Sequence, residues 1–293
     1  MLSGTAINTV TFAFREVGEE NVTRRHERRH NRSVAWAQGR HPSASERNRI
    51  GRQRHHGGLL LARLGGVVVA WETHSAVPRY CVAVPVDLGQ LYHQGRLRIT
   101  DLVSDQESDR PVGATPLWTV HDVVAHMAGV MEDVRTGNME GVTTDPWTAA
   151  QIERGRSKSV SELLDQWARD AVGPEMFLSS PEGAPYFRAV VDVMTHLADL
   201  LTAFGRPVDL PPEFMSWITP LLIETFNQEA TSHGLPLVEV EAPDFEVFRG
   251  RLGRRTEAEV RSLEWSVNPE PYLDTWFIFG RAEATLGEIC ASS

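Results

Sequence analysis

The chain has 293 residues, of which 41% are hydrophobic and 23% are charged, a composition typical of a soluble globular protein. No apolar run reaches the roughly 18 residues that a membrane-spanning helix needs, so a membrane protein of that kind is excluded. Two distant cysteines, Cys81 and Cys290, exclude a disulfide scaffold and a cysteine-rich zinc site. The net charge of −10 combines a basic part, residues 1–82, with 13 Arg against 6 Glu, and an acidic part, residues 83–293, with 16 basic against 33 acidic side chains.

Residues 1–82 form a basic extension that we expect to be disordered. Between Gly18 and Gly58, aliphatic residues are sparse and charges are dense, and such a composition cannot offset the entropy lost on ordering. The chain contains 28 Arg and a single Lys, which is typical of a GC-rich genome, where spurious upstream reading frames are common. We therefore expect the working protein to begin near Val82 or Val84.

Two other interpretations of the extension are weaker. A basic arm for nucleic acid is disfavoured because no folded nucleic-acid module accompanies it and the rest of the chain is acidic. An export signal is disfavoured because the apolar run from Leu59 to Ala70 is interrupted by Arg63 and lies far from the paired arginines. The sequence thus favours a cytoplasmic protein with neither a nucleic-acid nor a membrane partner.

Amphipathic periodicity predicts four helices between residues 84 and 207, and therefore a four-helix bundle. Thr119 and Asp122 form a capping-box pattern at the start of the second helix, which we expect to end near Gly137. Residues 138–158 are predicted to be irregular, and Pro174 is predicted to break the chain. The predicted helices span about 87–105, 119–137, 159–171 and 187–204.

A proline-rich turn at 207–212 is the predicted boundary to a small α+β domain over residues 212–290. Its predicted elements are a helix over 214–228, a strand over 237–241, a short helix over 243–252, a helix capped by Thr256 and Glu259, and a β-prone end over 272–279.

Histidines inside the predicted helices are the candidate chemical groups. A step of about 100° per residue places His121 in solvent, and places His126 at the edge of the apolar stripe of the same helix. On the fourth helix, Asp192 and His196 lie one turn apart. A set of His126, Asp192 and His196 offers two imidazoles and a carboxylate with open positions, which suits catalytic zinc better than iron or nickel.

Each of these residues also has a purely structural interpretation. His126 would then be a histidine at the core edge, hydrogen-bonded to a neighbour. Asp192 and His196 would be an exposed charge pair of small value to stability. Asp199, on the same face of the fourth helix, is interpreted as a structural hydrogen-bond acceptor and not as a ligand.

A cluster of arginines near the C-terminus either binds a carboxylate substrate through bidentate pairs or forms a solvated helix face, which is the favoured interpretation. Its members are Arg249, Arg251, Arg254 and Arg255. Other catalytic patterns are missing from the sequence. No glycine-rich phosphate loop follows a predicted strand, no G-x-S-x-G elbow is present, and neither cysteine lies near a helical histidine.

Three stretches of the sequence carry a family resemblance. The first is PLWTVHDVVAH, from Pro116 to His126, and the second is DVMTHLADL, from Asp192 to Leu200. The third runs from Phe248 to beyond Tyr272. Together they resemble the mycothiol-dependent maleylpyruvate isomerase family over roughly residues 84–285, and they leave the basic extension outside.

The resemblance implies a DinB-like metal-binding helix bundle followed by the C-terminal domain of that family. It implies a divalent metal, zinc, held by His126, Asp192 and His196, with mycothiol as a thiol cosubstrate that the metal binds and activates. The substrate would be a small electrophile, which the protein isomerises or to which it transfers a low-molecular-weight thiol. In the isomerase, the thiolate adds to a cis double bond, the adduct rotates, and elimination gives the trans product.

The chain departs from the family pattern at Asp192, where the family usually has Glu, which is one methylene longer. The family takes a catalytic arginine from its C-terminal domain, and Arg249, Arg254 and Arg255 are the candidates in this chain. The alternative function is a metal- or ligand-binding module that keeps the scaffold without turnover.

Overall fold

The computed structural model describes residues 59–64, 67–72 and 86–289. The described residues are mainly helical, as the sequence predicts, and none of their helices is long and apolar enough to cross a membrane. Most of the basic extension lies outside the described residues, and so does the predicted start near Val82 or Val84.

Two strands are described within the basic extension, where we expected disorder. Strand β1 (Leu59–Leu64) pairs antiparallel with strand β2 (Val67–Glu72), and Leu64 is opposite Val67. Leucine and valine runs on either side of a Gly-Gly dipeptide are a strong hairpin signal, because β-branched residues favour strands and glycine accepts the turn conformations. The expectation of disorder for the basic extension as a whole stays a prediction.

The bundle contains the four predicted helices and one further helix between the second and the third. Helices α1, α2, α4 and α5 correspond to the predictions, and α3 is the additional helix. Their bounds are α1 (Leu88–Leu102), α2 (Val120–Thr136), α3 (Asp145–Gly155), α4 (Val160–Leu178) and α5 (Arg188–Ala203).

Both ends of α2 follow the signals in its sequence. The Thr119 side chain accepts a hydrogen bond from the Asp122 amide, and the Asp122 carboxylate accepts one from the Thr119 amide at 2.9 Å, so the capping box is confirmed. Gly137 ends the helix with φ of 75°, a left-handed conformation that glycine adopts without steric cost. Both ends of α2 are therefore set by local sequence signals.

Helix α2 packs against α3 and α4, and α1 packs against α4 and α5. In the core, Trp167 of α4 donates a hydrogen bond to the hydroxyl of Tyr92 of α1 at 2.9 Å. A smaller contact between α2 and α5 brings together the two helices that carry the predicted ligands.

The prediction that residues 138–158 are irregular is wrong for α3. The buried face of this helix carries Thr148, Gln151 and Gly155, which are polar or small, so it has no apolar stripe that periodicity could detect. Pro146 in the first turn is the local helix signal, because its fixed φ suits that position.

The predicted break at Pro174 is also wrong, because α4 continues through Pro174 to Leu178. The turn after the proline is anchored from outside the helix. The Glu175 carboxylate accepts a hydrogen bond from the Arg96 side chain at 2.7 Å, and Leu178 is buried. These contacts offset the backbone hydrogen bond that proline cannot donate.

The C-terminal part is a small α+β arrangement, as predicted. It contains α6 (Pro212–Ser232), β3 (Val240–Glu241), α7 (Asp244–Arg251), α8 (Glu257–Arg261), β4 (Glu264–Trp265) and α9 (Leu273–Trp276), with β3 and β4 antiparallel. The predicted boundary between residues 207 and 212 stays a prediction, because residues 86–289 lie in one compact unit.

The prediction of a β-prone end over 272–279 is wrong. Tyr272 lies in a 3₁₀ turn and Trp276 in the short helix α9, where its ring centroid is 5.0 Å from that of Phe226 and 5.1 Å from that of Trp265. Aromatic residues favour strands mainly because strands offer a surface to pack against, and here a packed aromatic cluster provides that surface without a strand.

Candidate metal centre

His126 lies near the middle of α2 and is buried, with 4% of its surface exposed. This part of α2 is turned away from solvent, and the Nε2 atom of His126 faces Asp192 of α5. The sequence position at the edge of the apolar stripe is thus confirmed. His121 differs from its prediction: it is partly buried, and its Nε2 lies 2.9 Å from the carbonyl oxygen of Lys158.

Asp192 and His196 lie on consecutive turns of α5 and face His126. His126 Nε2 is 3.4 Å from Asp192 Oδ2, and His196 Nε2 is 3.6 Å from Asp192 Oδ1. One ligand atom from each of the three residues can be chosen so that all lie within 4.8 Å of one another. His196 is only 1% exposed, so the alternative interpretation of an exposed charge pair is wrong.

The spacing of these atoms leaves room for a metal ion between them. Both imidazole–carboxylate distances exceed the range of about 2.7–3.2 Å that is usual for N–H···O hydrogen bonds. In a tetrahedral zinc site with ligand bonds of about 2.0–2.1 Å, the ligand atoms are about 3.4 Å apart. The shorter aspartate in place of the family's glutamate therefore still reaches both imidazoles.

The Asp192 side chain is 21% exposed. Burial by itself raises the pKa of this carboxyl, but His126, His196 and Arg254 lower it, and the resulting pKa is below the ordinary value of 3.8. Asp192 is consequently a carboxylate at neutral pH, which is the form that a divalent cation binds.

The other ring nitrogen of His126 has its own partner. Nδ1 lies 2.8 Å from Gln151 Oε1 on α3, and Gln151 Nε2 donates to Asp133 Oδ2 at 2.8 Å. The interpretation of His126 as a histidine hydrogen-bonded to a neighbour is therefore confirmed for Nδ1, while Nε2 faces Asp192. The two interpretations of His126 apply to different atoms of one ring.

The other ring nitrogen of His196 faces Asp199, since its Nδ1 lies 3.3 Å from Asp199 Oδ2. Asp199 is fully buried and accepts hydrogen bonds from Arg249 Nη2 at 2.7 Å and Arg254 Nη2 at 2.8 Å. Burial alone raises the pKa of Asp199, but the two guanidinium groups hold it well below 3.8. Its predicted role as a hydrogen-bond acceptor is confirmed.

The indole of Trp118 covers the two histidines. Its ring centroid is 5.4 Å from that of His126 and 5.7 Å from that of His196, and it stacks on His196 with an interplanar angle of 26°. Trp118 lies just before the capping box of α2, so the same turn that starts the helix also places the indole. Such an aromatic wall limits the access of water to the site.

The C-terminal arginines are buried, so the prediction of a solvated helix face is wrong. Arg249, Arg251, Arg254 and Arg255 are at most 7% exposed. The reason is a partner for each charge: Arg249 and Arg254 bind Asp199, Arg255 binds Glu246 and Glu288, and Arg251 donates to backbone carbonyls.

The candidate catalytic arginines differ in their distance from the metal ligands. Arg249 and Arg254 are separated from His196 only by Asp199, whereas Arg255 forms ion pairs with Glu246 and Glu288. The assignment of a catalytic arginine among the three stays a prediction.

Three residues of the site are absent from the sequence prediction: Trp118, Gln151 and Asp133. Trp118 lies inside the first motif, directly before the cap, which is the one signal that points to it. Gln151 lies on α3, which periodicity did not predict. Asp133 lies on a face of α2 that could not be paired with α3 without that prediction. No signal in the sequence alone joins these two side chains to His126.

Comparison with known proteins gives one match. Residues 92–173 match the family model described as the mycothiol maleylpyruvate isomerase N-terminal domain, whereas no curated protein and no solved structure matches the chain. The matched stretch includes His126, Asp133 and Gln151. It ends before Asp192 and His196, and only the geometry of the site joins these two residues to His126. Residues 92–173 are thus similar to the mycothiol maleylpyruvate isomerase N-terminal domain.

Proposed function

We propose that His126, Asp192 and His196 bind a divalent metal ion, with zinc as the preferred metal. We propose further that the protein is a mycothiol-linked isomerase or S-transferase. The observation that carries the proposal is the convergence of three ligand atoms, one from each residue, within 4.8 Å of one another. Two imidazoles and one carboxylate leave a coordination position open, as in catalytic and not structural zinc sites.

The metal would supply one chemical effect, a lowered pKa for a thiol that coordinates at the open position. The residues of the chain have the remaining tasks. Asp192 offsets part of the positive charge, Trp118 restricts water on one side, and Asp199 orients His196. The match to a mycothiol-related domain supports mycothiol as the thiol.

The first test is metal analysis of purified protein. We expect stoichiometric zinc in the wild type and its loss in His126→Ala and His196→Ala. The matched control is His121→Ala, which removes a histidine from the same helix outside the site and should leave the zinc content unchanged. A metal-free wild type that also fails to bind added zinc would overturn the proposal.

A second test separates an enzyme from a non-catalytic binding module. Wild type is incubated with mycothiol and a small electrophile, such as maleylpyruvate or monochlorobimane, and free thiol and product are followed together. An isomerase forms product while free thiol is conserved, because the thiol adds and then leaves. An S-transferase consumes one thiol per product. Bound zinc without either product would favour the binding module.

A further inference from the structure

A chain of three buried polar side chains runs from α2 to α3 and back to the candidate site. Asp133 and Gln151 are each 1% exposed and His126 is 4% exposed. Asp133 lies seven residues after His126, two turns further along α2, and it has no contact with the metal ligands except through Gln151. Buried polar networks of this kind are costly unless each group has the right partner, so their donor and acceptor pattern is informative.

The pattern begins at Asp133, whose carboxylate offers only acceptors. Its Oδ1 accepts from Asn138 Nδ2 at 2.8 Å and from Arg154 Nη2 at 2.7 Å, and its Oδ2 accepts from Gln151 Nε2 at 2.8 Å. If the Gln151 amide were turned over, two oxygens would face each other in a buried site. Asp133 therefore determines which end of the Gln151 amide faces His126.

The end that faces His126 is the carbonyl oxygen, 2.8 Å from Nδ1. A carbonyl oxygen can only accept, so Nδ1 must carry the ring proton. A neutral imidazole has one N–H, which leaves the lone pair on Nε2, the atom that faces Asp192.

We propose that Asp133 is a positioning residue that selects, through the Gln151 amide, the tautomer of His126 that can bind a metal at Nε2. The consequence for metal binding rests on the function proposed above. The tautomer itself does not, because it follows from the hydrogen bonds among Asp133, Gln151 and His126.

Close packing holds the Gln151 side chain in this arrangement. A Cβ atom added at Gly129 of α2 would lie 2.6 Å from Gln151 Cβ and 2.7 Å from its Cγ, so glycine lets α3 approach α2 at this point. The amide has little room to leave the line between Asp133 and His126. A rotation of the amide about its own axis remains, and that rotation is what Asp133 opposes.

The substitution Asp133→Asn tests the proposal. Arg154 and Asn138 both donate at one side of position 133, so the new amide should turn its oxygen towards them and its nitrogen towards Gln151. Gln151 would then present its own nitrogen to His126 Nδ1, and the proton would move to Nε2. We expect a two-bond ¹H–¹⁵N spectrum of metal-free protein to show His126 as the Nδ1–H tautomer in the wild type and as the Nε2–H tautomer in the variant.

The zinc affinity is the second readout. Loss of an outer partner of a metal-binding histidine typically lowers the affinity by about 10–100-fold, and we expect a decrease in this range for Asp133→Asn. A role of Asp133 confined to anchoring α3 on α2 predicts a change in stability with an unchanged His126 tautomer. That spectrum would overturn the proposal.

The double variant Asp133→Asn/Gln151→Glu is the rescue. The new amide at position 133 can donate to one oxygen of the new carboxylate at position 151, whose other oxygen accepts from His126 Nδ1–H. We expect the wild-type tautomer and most of the zinc affinity to return. Failure of the double variant to restore the tautomer would contradict the proposed role of Asp133 even if the single variant behaves as expected.

Asn138→Ala is the matched control. It removes another hydrogen bond to Asp133 but leaves Gln151 in place, so the tautomer and the zinc affinity should stay at wild-type values. If wild-type protein shows the Nδ1–H tautomer and Asp133→Asn shifts it, but the wild type does not bind zinc, the proposed role of Asp133 stands and the proposed function fails. If zinc binds and the His126 tautomer does not respond to substitution of Asp133, the proposed role of Asp133 is wrong and the proposed function stands.

Discussion

Arg254 donates a hydrogen bond to Asp199 at 2.8 Å, and the same carboxylate oxygen lies 3.3 Å from Nδ1 of His196. A residue from the C-terminal part is thus one side chain away from a candidate metal ligand of α5. Arg249 adds a second guanidinium to Asp199 at 2.7 Å. Helix α5, which carries Asp192 and His196, and the C-terminal part are therefore joined through the buried carboxylate of Asp199.

The first prediction concerns that carboxylate. Asp199→Asn removes the charge that both buried arginines need, and breaking such a pair typically costs about 3–5 kcal/mol. We expect a decrease of this order in the free energy of unfolding, measured by urea denaturation.

The exposed ion pair between Arg98 and Asp209 provides the comparison for Asp199→Asn. The Asp209 side chain is 63% exposed, so Asp209→Asn should cost less than about 1 kcal/mol. Similar costs for the two variants would contradict the assignment of Asp199 as the charge that binds the C-terminal part to α5.

The second prediction concerns the close approach of α2 and α3. Gly129→Ala gains up to about 1 kcal/mol in helix propensity, but its Cβ would lie 2.6 Å from Gln151 Cβ. Overpacking of this kind costs about 1–3 kcal/mol. We expect a lower melting temperature and a lower zinc affinity, because Gln151 must move away from His126.

Gly89→Ala is the control for Gly129→Ala. Its added Cβ meets Glu175 and Ser179 at the contact of α1 and α4, not the side chains around His126. It should lower the stability and leave the zinc affinity unchanged. Unchanged zinc affinity in Gly129→Ala, with stability lost, would show that Gln151 does not matter for His126.

The third prediction concerns Trp118. Because its indole lies 5.4 Å and 5.7 Å from the two imidazoles, Co²⁺ bound between them should quench its fluorescence. We expect a marked quench in the wild type and a much smaller one in Trp118→Phe. Trp265→Phe, which changes the C-terminal aromatic cluster, should keep the full quench. Equal quenching in the two variants would place the metal elsewhere.

The fourth prediction concerns pH and the capping box of α8. Burial alone raises the pKa of Glu259, but hydrogen bonds from the Thr256 amide and hydroxyl and the charge of Arg255 lower it below 4.5 overall. A lowered folded-state pKa stabilises the protein above the unfolded-state pKa, and this stabilisation is lost as the pH falls through the folded-state pKa.

Glu259→Gln tests this pH dependence. The variant should be less stable than the wild type by about 1 kcal/mol at pH 7, which is the usual value of a cap. The difference should shrink as the pH falls below about 4.5. Urea denaturation at a series of pH values checks the prediction, and a difference that grows on acidification would have the wrong sign.

Local signals predicted the parts of the bundle that depend on neighbours in the sequence. The cap at Thr119 and the glycine at 137 set the ends of α2, and one-turn spacing puts Asp192 beside His196. Helix α3 escaped prediction because Thr148 and Gln151 on its buried face are polar, and burial there depends on hydrogen bonds to another helix.

The arginine cluster shows the same limit in the C-terminal part. A run of four arginines is usually solvated, since burying an unpaired charge is costly. Here Asp199 and Glu288 pair with them from positions 55 and 33 residues away, and no local sequence pattern predicts this pairing. Burial of charge is decided by partners and not by the residue itself.

By itself, the sequence determined four helices of the bundle, the capping boxes at Thr119 and Thr256, and the face of α5 that carries Asp192 and His196, because these follow from helical periodicity and local capping patterns. Only the tertiary structure decided that His126 meets that face, that Gln151 and Asp133 stand behind it, and that acidic side chains enclose the arginines. Contacts between faces depend on how whole helices pack, and packing is a property of the folded chain.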